Sequence, residues 1–430
     1  MADPDPDPSP APPPTSAPEI VPSTRALLKE RDYLAFWCSR WTGSFAAQIQ
    51  SVAMGWQMYG LARTEGKSVE ESAFLVGMLG LAAFIPVFLL SLTAGETADR
   101  HDRKTVLLVC FAGEMVSVAV LAVATWRQAA TVPLLLAMGF AFGAARAFFN
   151  PASTALGPML VPRALLPRAI AWNSLAWQSA SVVGPAIGGA LIALSTADAY
   201  GATFLLYVVS AISVLIIRKT TRPEVQPGSR WTLMKEGLAY VWNQKIVFGA
   251  ISLDLFAVLL GGATALLPVF ARDILLSDAH AFGILRASPA LGATLVGLFL
   301  AAHPIRHRAG VVMFLGVGTF GLATCVFALS RSLWVSVVAL AILGGADMLS
   351  VYIRQTLTQL ITPDPMRGRV AAVSSVFVGA SNELGEFESG VVARFLGPVG
   401  AALFGGVGAL IVTGVWARLF PALRKADRLE

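Results

Sequence analysis

Apolar runs of about 20 residues, enough to cross roughly 30 Å of hydrocarbon as a helix, follow one another along nearly the whole of this 430-residue chain. Only 13% of its residues are charged and 56% are hydrophobic. A soluble domain carries roughly one-quarter charged residues, so lipid is the solvent that suits this chain. Reading the runs between charged or Gly/Pro breaks predicts helices over 33–61, 72–94, 104–125, 132–159, 168–195 and 200–217. A second set covers 246–272, 281–302, 310–329, 332–360, 369–395 and 399–419. The expectation is an all-α membrane protein of twelve transmembrane helices in two bundles of six, over 31–217 and 246–419. A loop over 218–245 joins them, with tails over 1–30 and 420–430.

The first tail is Pro-, Asp-, Ser- and Ala-rich, too poor in large apolar side chains to fold, and it lacks the basic start and apolar core of a signal peptide. Loops on the side of the N-terminus hold most of the lysines and arginines, among them Arg100, Arg103, Lys104, Arg163, Arg168, Arg306, Arg308, Arg367 and Arg369. The positive-inside rule therefore puts both termini in the cytoplasm. The net charge of +6 reflects this topology; without a basic stripe interleaved with aromatics it gives no sign of a nucleic-acid partner. In the central loop Trp231, Met234, Leu238 and Trp242 stand at helical spacing beside Arg230, Lys235 and Lys245, which suits a short helix on the inner leaflet or a plain linker helix.

The chain repeats itself where its polar residues sit. Gly143-Ala144-Ala145-Arg146 matches Gly344-Gly345-Ala346-Asp347, and at the same offset Arg168 matches Arg369 and Gly184 matches Gly385. A duplicated six-helix unit, with the halves related by an axis along the membrane normal, makes a cavity at its seam, and rocking the halves exposes that cavity to each side in turn. This architecture favours a transporter over a channel or receptor.

Between the second and third predicted helices stands Gly95-Glu96-Thr97-Ala98-Asp99-Arg100-His101-Asp102-Arg103-Lys104. It resembles the signature loop of the major facilitator superfamily, with Asp102 in place of the usual second glycine. The resemblance implies a cytoplasmic gate in which Asp99 and the cations Arg100, Arg103 and Lys104 bridge neighbouring helices in one conformation and release them in the other. Gly184-Pro185-Ala186-Ile187-Gly188-Gly189 resembles the motif of the superfamily's antiporters, although Ala180 stands where the longer pattern has glycine. Asn150-Pro151-Ala152, Gly157-Pro158 and Arg354-Gln355-Thr356-Leu357 look like the subfamily that includes enterobactin exporters and macrolide-efflux permeases. That likeness runs from Arg31 to Leu419 and implies export of a small amphipathic molecule, such as a siderophore or drug, across a bacterial inner membrane.

A charge at mid-bilayer costs at least about 2.5 kcal/mol on insertion scales, so such residues usually face a partner or a wet cavity. Here they are Arg40, Glu114, Arg146, Asp254, Arg286, Asp347, Arg354, Glu383, Glu386 and Glu388. The superfamily resemblance puts helices one, four, seven and ten around the cavity, which selects Arg40, Arg146, Asp254, Asp347 and Arg354. Arg146 and Asp347, opposite in charge at matching repeat positions, are expected to meet across the pseudo-two-fold. Asp254 or Asp347 is then the protonatable group, with Arg146 as its cationic switch partner. A fixed buried ion pair holding the halves together is the plainer alternative. Glu383, Glu386 and Glu388 cannot all share one helix face. Gln48, Gln57, Asn150, Asn173, Gln178 and Gln355 are polar candidates for meeting the solute, together with Trp172.

Covalent chemistry finds no support. There is no Gly-x-x-x-x-Gly-Lys-Ser/Thr phosphate loop, no nucleophile elbow, and no metal-like spacing among His101, His280, His303, His307, Cys38, Cys110 and Cys325. The expectation is therefore a monomeric, cofactor-free and metal-free secondary transporter whose partners are a small molecule, protons and lipid. An importer or lipid flippase of the same fold is the nearest rival, and a non-transporting sensor or scaffold the rival of another class.

Overall fold

A computed structural model describes residues 24–219, 230–305 and 307–426. Every long element among them is a helix. The first six are α1 (Arg31–Thr64), α2 (Val69–Arg100), α3 (Arg103–Trp126), α4 (Val132–Met159), α5 (Leu166–Leu194) and α6 (Thr196–Ile216). After a connecting helix (Arg230–Asn243) come α7 (Lys245–Leu260), α8 (Ala279–Ala302), α9 (Ala309–Leu329) and α10 (Leu333–Ile361). The run Asp364–Leu419 is broken at Gly397, whose φ of 72° belongs to the left-handed region that a side chain disfavours, and Pro398 follows. The parts before and after are α11 and α12.

Ten runs among the described residues are long and apolar enough to cross a membrane, and one of them, Met366–Leu419 at 54 residues, has room for two crossings. With α1, whose 34 residues include Arg40, Gln48, Gln50 and Gln57, this makes twelve. Helices therefore end alternately at two faces. The terminal face holds the start of α1, the α2–α3 turn and the end of α12; the opposite face holds the α1–α2, α7–α8 and α11–α12 turns. Local chemistry sets the turns. Ser68 and Glu71 form a reciprocal capping box at the start of α2, and the Asp102 carboxylate accepts from the Lys104 amide at the start of α3.

The repeat is visible in the packing. A β-carbon on Gly143 of α4 would lie 2.0 Å from the Ala83 carbonyl oxygen of α2, and one on Gly344 of α10 would lie 1.9 Å from the Pro289 oxygen of α8. The matched glycines thus admit the backbone of the equivalent helix in each half. Gly184 and Gly385 correspond likewise, the first against Gln48 of α1 and the second against the Val258 carbonyl of α7.

The seventh helix departs from the single run expected over 246–272. It stops at Leu260 and resumes as a 3₁₀ turn (Ala263–Leu266), a short α turn (Leu267–Val269) and a π turn (Phe270–Ile274). Gly261 and Gly262 supply the break, and Pro268 lacks the amide that would restore an unbroken ladder. At Gly262 the backbone of Gly385 comes so near that a β-carbon would sit 2.1 Å from its oxygen.

The connecting helix lies on α7 and α11. Val241 joins a cluster with Val247, Ile251, Val370 and Val373, Glu236 pairs with Arg369, and Tyr240 donates to the Ile361 carbonyl at 3.1 Å. Leu238 and Trp242 remain 45% and 70% exposed. Much of the first expected tail, residues 1–23, lies outside the described residues, but Thr24–Leu27 is a helical turn that seats Leu27 fully buried. At the other end Pro421–Arg424 is helical, and the Gly310 amide donates to the Ala426 carbonyl at 2.9 Å, tying the end of the chain to α9.

Candidate functional site

The halves meet most closely near the opposite face, along α2–α11 and α5–α8. A β-carbon on Gly77 would lie 2.8 Å from the Gly390 Cα, and one on Gly189 would lie 2.4 Å from the Ala279 carbonyl oxygen. The glycine-rich stretch of α5 therefore divides its work. Gly184 and Gly188 admit α1 of their own half, whereas Gly189 and the Pro185 carbonyl face Ala279 and Gly283 of the other. Closer to that face, Trp56 stacks on Phe282 at 5.4 Å, and the Arg272 guanidinium lies 3.9 Å from the Trp56 ring centre. Tyr59 donates to the Asp273 carboxylate, which also meets Arg63 at 3.6 Å. The broken end of the seventh helix and the end of α1 thus close the seam on this side.

Two cations of the loop at the terminal face bind carbonyls of the N-terminal half. The Arg103 guanidinium donates to the Ala98 carbonyl at 3.1 Å and the Ala155 carbonyl at 3.0 Å, near the end of α4. Lys104 donates to the carbonyls of Leu215 and Ile217 at 2.9 and 2.7 Å, at the end of α6. Both cations satisfy or face carbonyls at helix ends, where positive charge is favoured. Arg100 pairs one turn back with Glu96 at 2.8 Å on the surface, Gly95 is buried and Asp99 is half-buried.

At the seam lies a cavity of about 150 Å³ whose polar wall is Ser51, Thr264, Arg286, Glu383 and Glu386. Glu383 and Glu386 reach it together because i and i+3 share a helix face. Arg286 meets Glu386 at 3.5 Å and donates to the Thr264 carbonyl at 3.1 Å. Thr264 and Glu386 also line a second cavity, about 260 Å³, inside the C-terminal half, which extends to Asn382 and Asp347. Asp347 in turn lines a third, about 10 Å³, with Asp254 and Ser350. Asp254 is paired with Arg354 at 3.3 Å, and Arg354 donates to the Ser374 hydroxyl at 3.1 Å.

The expected meeting of Arg146 and Asp347 does not occur. Arg146 lies against the rings of Phe142 and Phe149, at 5.9 and 5.3 Å, and Arg354 serves the carboxylate of Asp254 within one half. Repeat symmetry puts Arg146 and Asp347 at matching places, but matching places are related by the axis and need not touch. Arg40 donates to the Ser153 hydroxyl at 2.8 Å.

None of the six polar candidates lines the seam cavity. Gln57 is held inside the N-terminal half, donating to the Thr125 hydroxyl at 2.7 Å and accepting from Tyr200 at 2.8 Å. Gln48 donates to Ser181 and Asn173 accepts from Tyr33, tying α1 to α5. Gln178 crosses from α5 to α8, donating to the Ala290 carbonyl and Thr294 hydroxyl. Asn150 and Gln355 are exposed.

The seam cavity's charged wall, Arg286, Glu383 and Glu386, lies outside the helix set that sequence reasoning preferred. Its signal was present: two acids three residues apart in an apolar run, beside an arginine in a neighbouring helix. Glu388 turns away and accepts from the Ser389 hydroxyl at 3.4 Å.

A sequence model of the transmembrane secretion effector family matches residues 22–430. The multidrug efflux pump Tap of Mycobacterium tuberculosis is 28% identical over 379 residues, covering 83% of this chain and 88% of that protein. The enterobactin exporter EntS of Salmonella typhi is 25% identical over 330 residues, covering 76% and 78%. Among solved structures, the nucleoside transporter NupG (D323A mutant) superposes with a TM-score of 0.66 at 15% identity, covering 90% of this chain and all of that one. These relatives are transporters and not enzymes, and the fold is theirs: twelve membrane-spanning helices in two pseudo-symmetric sixes. The chain belongs to the transmembrane secretion effector family, within the major facilitator superfamily of membrane transporters.

Proposed function

We propose that this chain is a proton-coupled exporter of a small amphipathic molecule, acting as a monomer in a bacterial inner membrane with both termini in the cytoplasm. The observation that carries the reading is Asp347, a carboxylate without an ion-pair or hydrogen-bond partner among the described residues, beside the Asp254–Arg354 pair and open to a cavity. A carboxyl in such a place can take up a proton when the arginine favours its neighbour and give it up when the arginine shifts. Asp254 is the alternative carrier, and Asp347 is preferred because Arg354 already holds Asp254. Arg40 and Arg146 act as fixed cations of the N-terminal half.

The basic loops support the terminal face as cytoplasmic. On that assignment the structure is the inward-open state, sealed toward the outside by α2–α11, α5–α8 and the Trp56–Arg272 contacts. The exposed Asn150 and Gln355 then belong to the cytoplasmic entrance, where solute is first met. Export is the direction that the likeness to the efflux pump Tap and the exporter EntS favours.

The test is efflux of a panel of fluorescent amphipathic dyes from vesicles under an imposed proton gradient. Asp347→Asn is expected to abolish the gradient dependence. Export that is unimpaired and still proton-driven in this variant would remove Asp347 from the mechanism.

A further inference from the structure

Six ionisable side chains inside the C-terminal half fall into two sets of the same composition. At the seam are Glu383, Glu386 and Arg286, all on the wall of one cavity, with Glu386 paired to Arg286 at 3.5 Å. Deeper in the bundle are Asp347, Asp254 and Arg354, with Asp254 paired to Arg354 at 3.3 Å. Each set holds two carboxyls and one arginine. The intervening cavity of about 260 Å³ has Glu386 at one end and Asp347 at the other.

Two carboxylates beside one guanidinium carry an excess negative charge. In a low-dielectric surrounding that excess is removed when one of the acids takes up a proton. A second observation marks the deeper set. Ser350, three residues after Asp347 and therefore on the same face of α10, is 2% exposed, and its hydroxyl has no hydrogen-bond partner. It lines the 10 Å³ space between the two aspartates, where it can donate to the ionised acid or accept from the protonated one.

The other half offers the seam one cation within reach, Arg146, and that cation is not the seam's alone. Arg146 of α4 is within electrostatic reach of Glu383 and also of Glu114, a buried carboxyl of α3 whose Oε1 has no partner. Arg146 is thus shared between Glu383 and the carboxyl of its own half, with Arg40 the further cation nearby.

We infer that the C-terminal half holds two one-proton sites in series, Glu383/Glu386 on Arg286 at the seam and Asp347/Asp254 on Arg354 behind it, joined by the cavity between Glu386 and Asp347. Glu383 is then a second coupling residue. The seam site faces the cavity between the halves, so a cationic group on the transported molecule displaces its proton first, and the deeper site releases its own through the joining cavity. The cargo that fits is a cationic amphipath, exchanged for as many as two protons per cycle.

The role of these protons in transport rests on the exporter reading; the existence of the two sites does not. It is tested on the full chain in lipid without any cargo, by infrared difference spectra between acid and alkaline pH in the region of protonated carboxyls. Glu383→Gln and Glu386→Gln are each expected to remove the same band, because either leaves one acid for Arg286 and no proton to hold. Asp347→Asn and Asp254→Asn are expected to remove a different band, and Glu383→Gln with Asp347→Asn to remove both. Glu383→Asp keeps the carboxyl and is expected to shift the first band without losing it, which controls for folding. Spectra unchanged by Glu383→Gln, or one substitution that removes both bands, would overturn the proposal. Two bands together with proton-independent export would overturn the exporter reading alone.

Discussion

Asp254 of α7 and Arg354 of α10 meet at 3.3 Å with side chains 6% and 5% exposed, a buried ion pair in the interior of the C-terminal half. The pair fixes the relation of two helices that the chain separates by a hundred residues.

Removing one partner of such a pair leaves a buried charge uncompensated, which costs about 3–5 kcal/mol, while replacing both by apolar residues is often neutral. Arg354→Met is therefore expected to lower the unfolding temperature in lipid nanodiscs markedly. Asp254→Leu with Arg354→Met should recover most of the loss; a double variant less stable than the single one would show that the pair's attraction exceeds its desolvation.

At the seam, Gly189 leaves no room for a side chain against the Ala279 oxygen, 2.4 Å from where a β-carbon would stand. Gly189→Leu must push α5 from α8 at the opposite face. Spin labels at Glu65 and Leu276, in a background without Cys38, Cys110 and Cys325, should report a longer mean distance. An unchanged distance distribution would mean that the halves do not part along this contact.

Trp56 is the common element of the same closure, stacked on Phe282 and covered by Arg272. A cation–π contact contributes about 0.5–2 kcal/mol. Trp56→Ala should therefore shift the two-state equilibrium toward outward opening by roughly 2- to 30-fold. The same labels would read it, with Trp56→Phe showing a smaller effect.

Arg103 ties the α2–α3 turn to α4 through the Ala155 carbonyl. Hydrogen bonds from charged groups contribute about 1.5–3 kcal/mol. Arg103→Ala should lose stability on that scale in equilibrium unfolding, and Arg103→Lys should retain part of it because its single ammonium cannot reach both carbonyls. Equal stability of all three proteins would show that the staple is redundant with Lys104.

Helix number, the basic face and the duplicated six were legible in the residues because they depend on local apolar length and on spacing along the chain. Gly143 and Gly344 illustrate this: their match in the repeat became a match in packing, since a missing side chain has the same steric consequence in each half. The apolar run of the seventh helix reads as continuous although Gly261-Gly262 stands in it. Two glycines lower helix propensity but do not by themselves end an apolar helix; the close approach of Gly385 decided the break.

The charged residues show the limit most clearly. Their presence in apolar runs marked them as partnered or cavity-facing, because lipid penalises a lone charge wherever it lies. Which partner each one has is a matter of helix rotation and tilt, set by contacts such as Gly262 with Gly385 and Gly344 with Pro289 that join distant parts of the chain. Hence Asp254 found Arg354, Glu386 found Arg286, and Arg146 settled between two phenylalanines. The sequence alone determined that this chain spans a membrane as two matching sixes carrying costly charges. Only the tertiary structure decided which charges pair and which cavities connect them, because pairing within about 4 Å depends on rotations and tilts that no local pattern specifies.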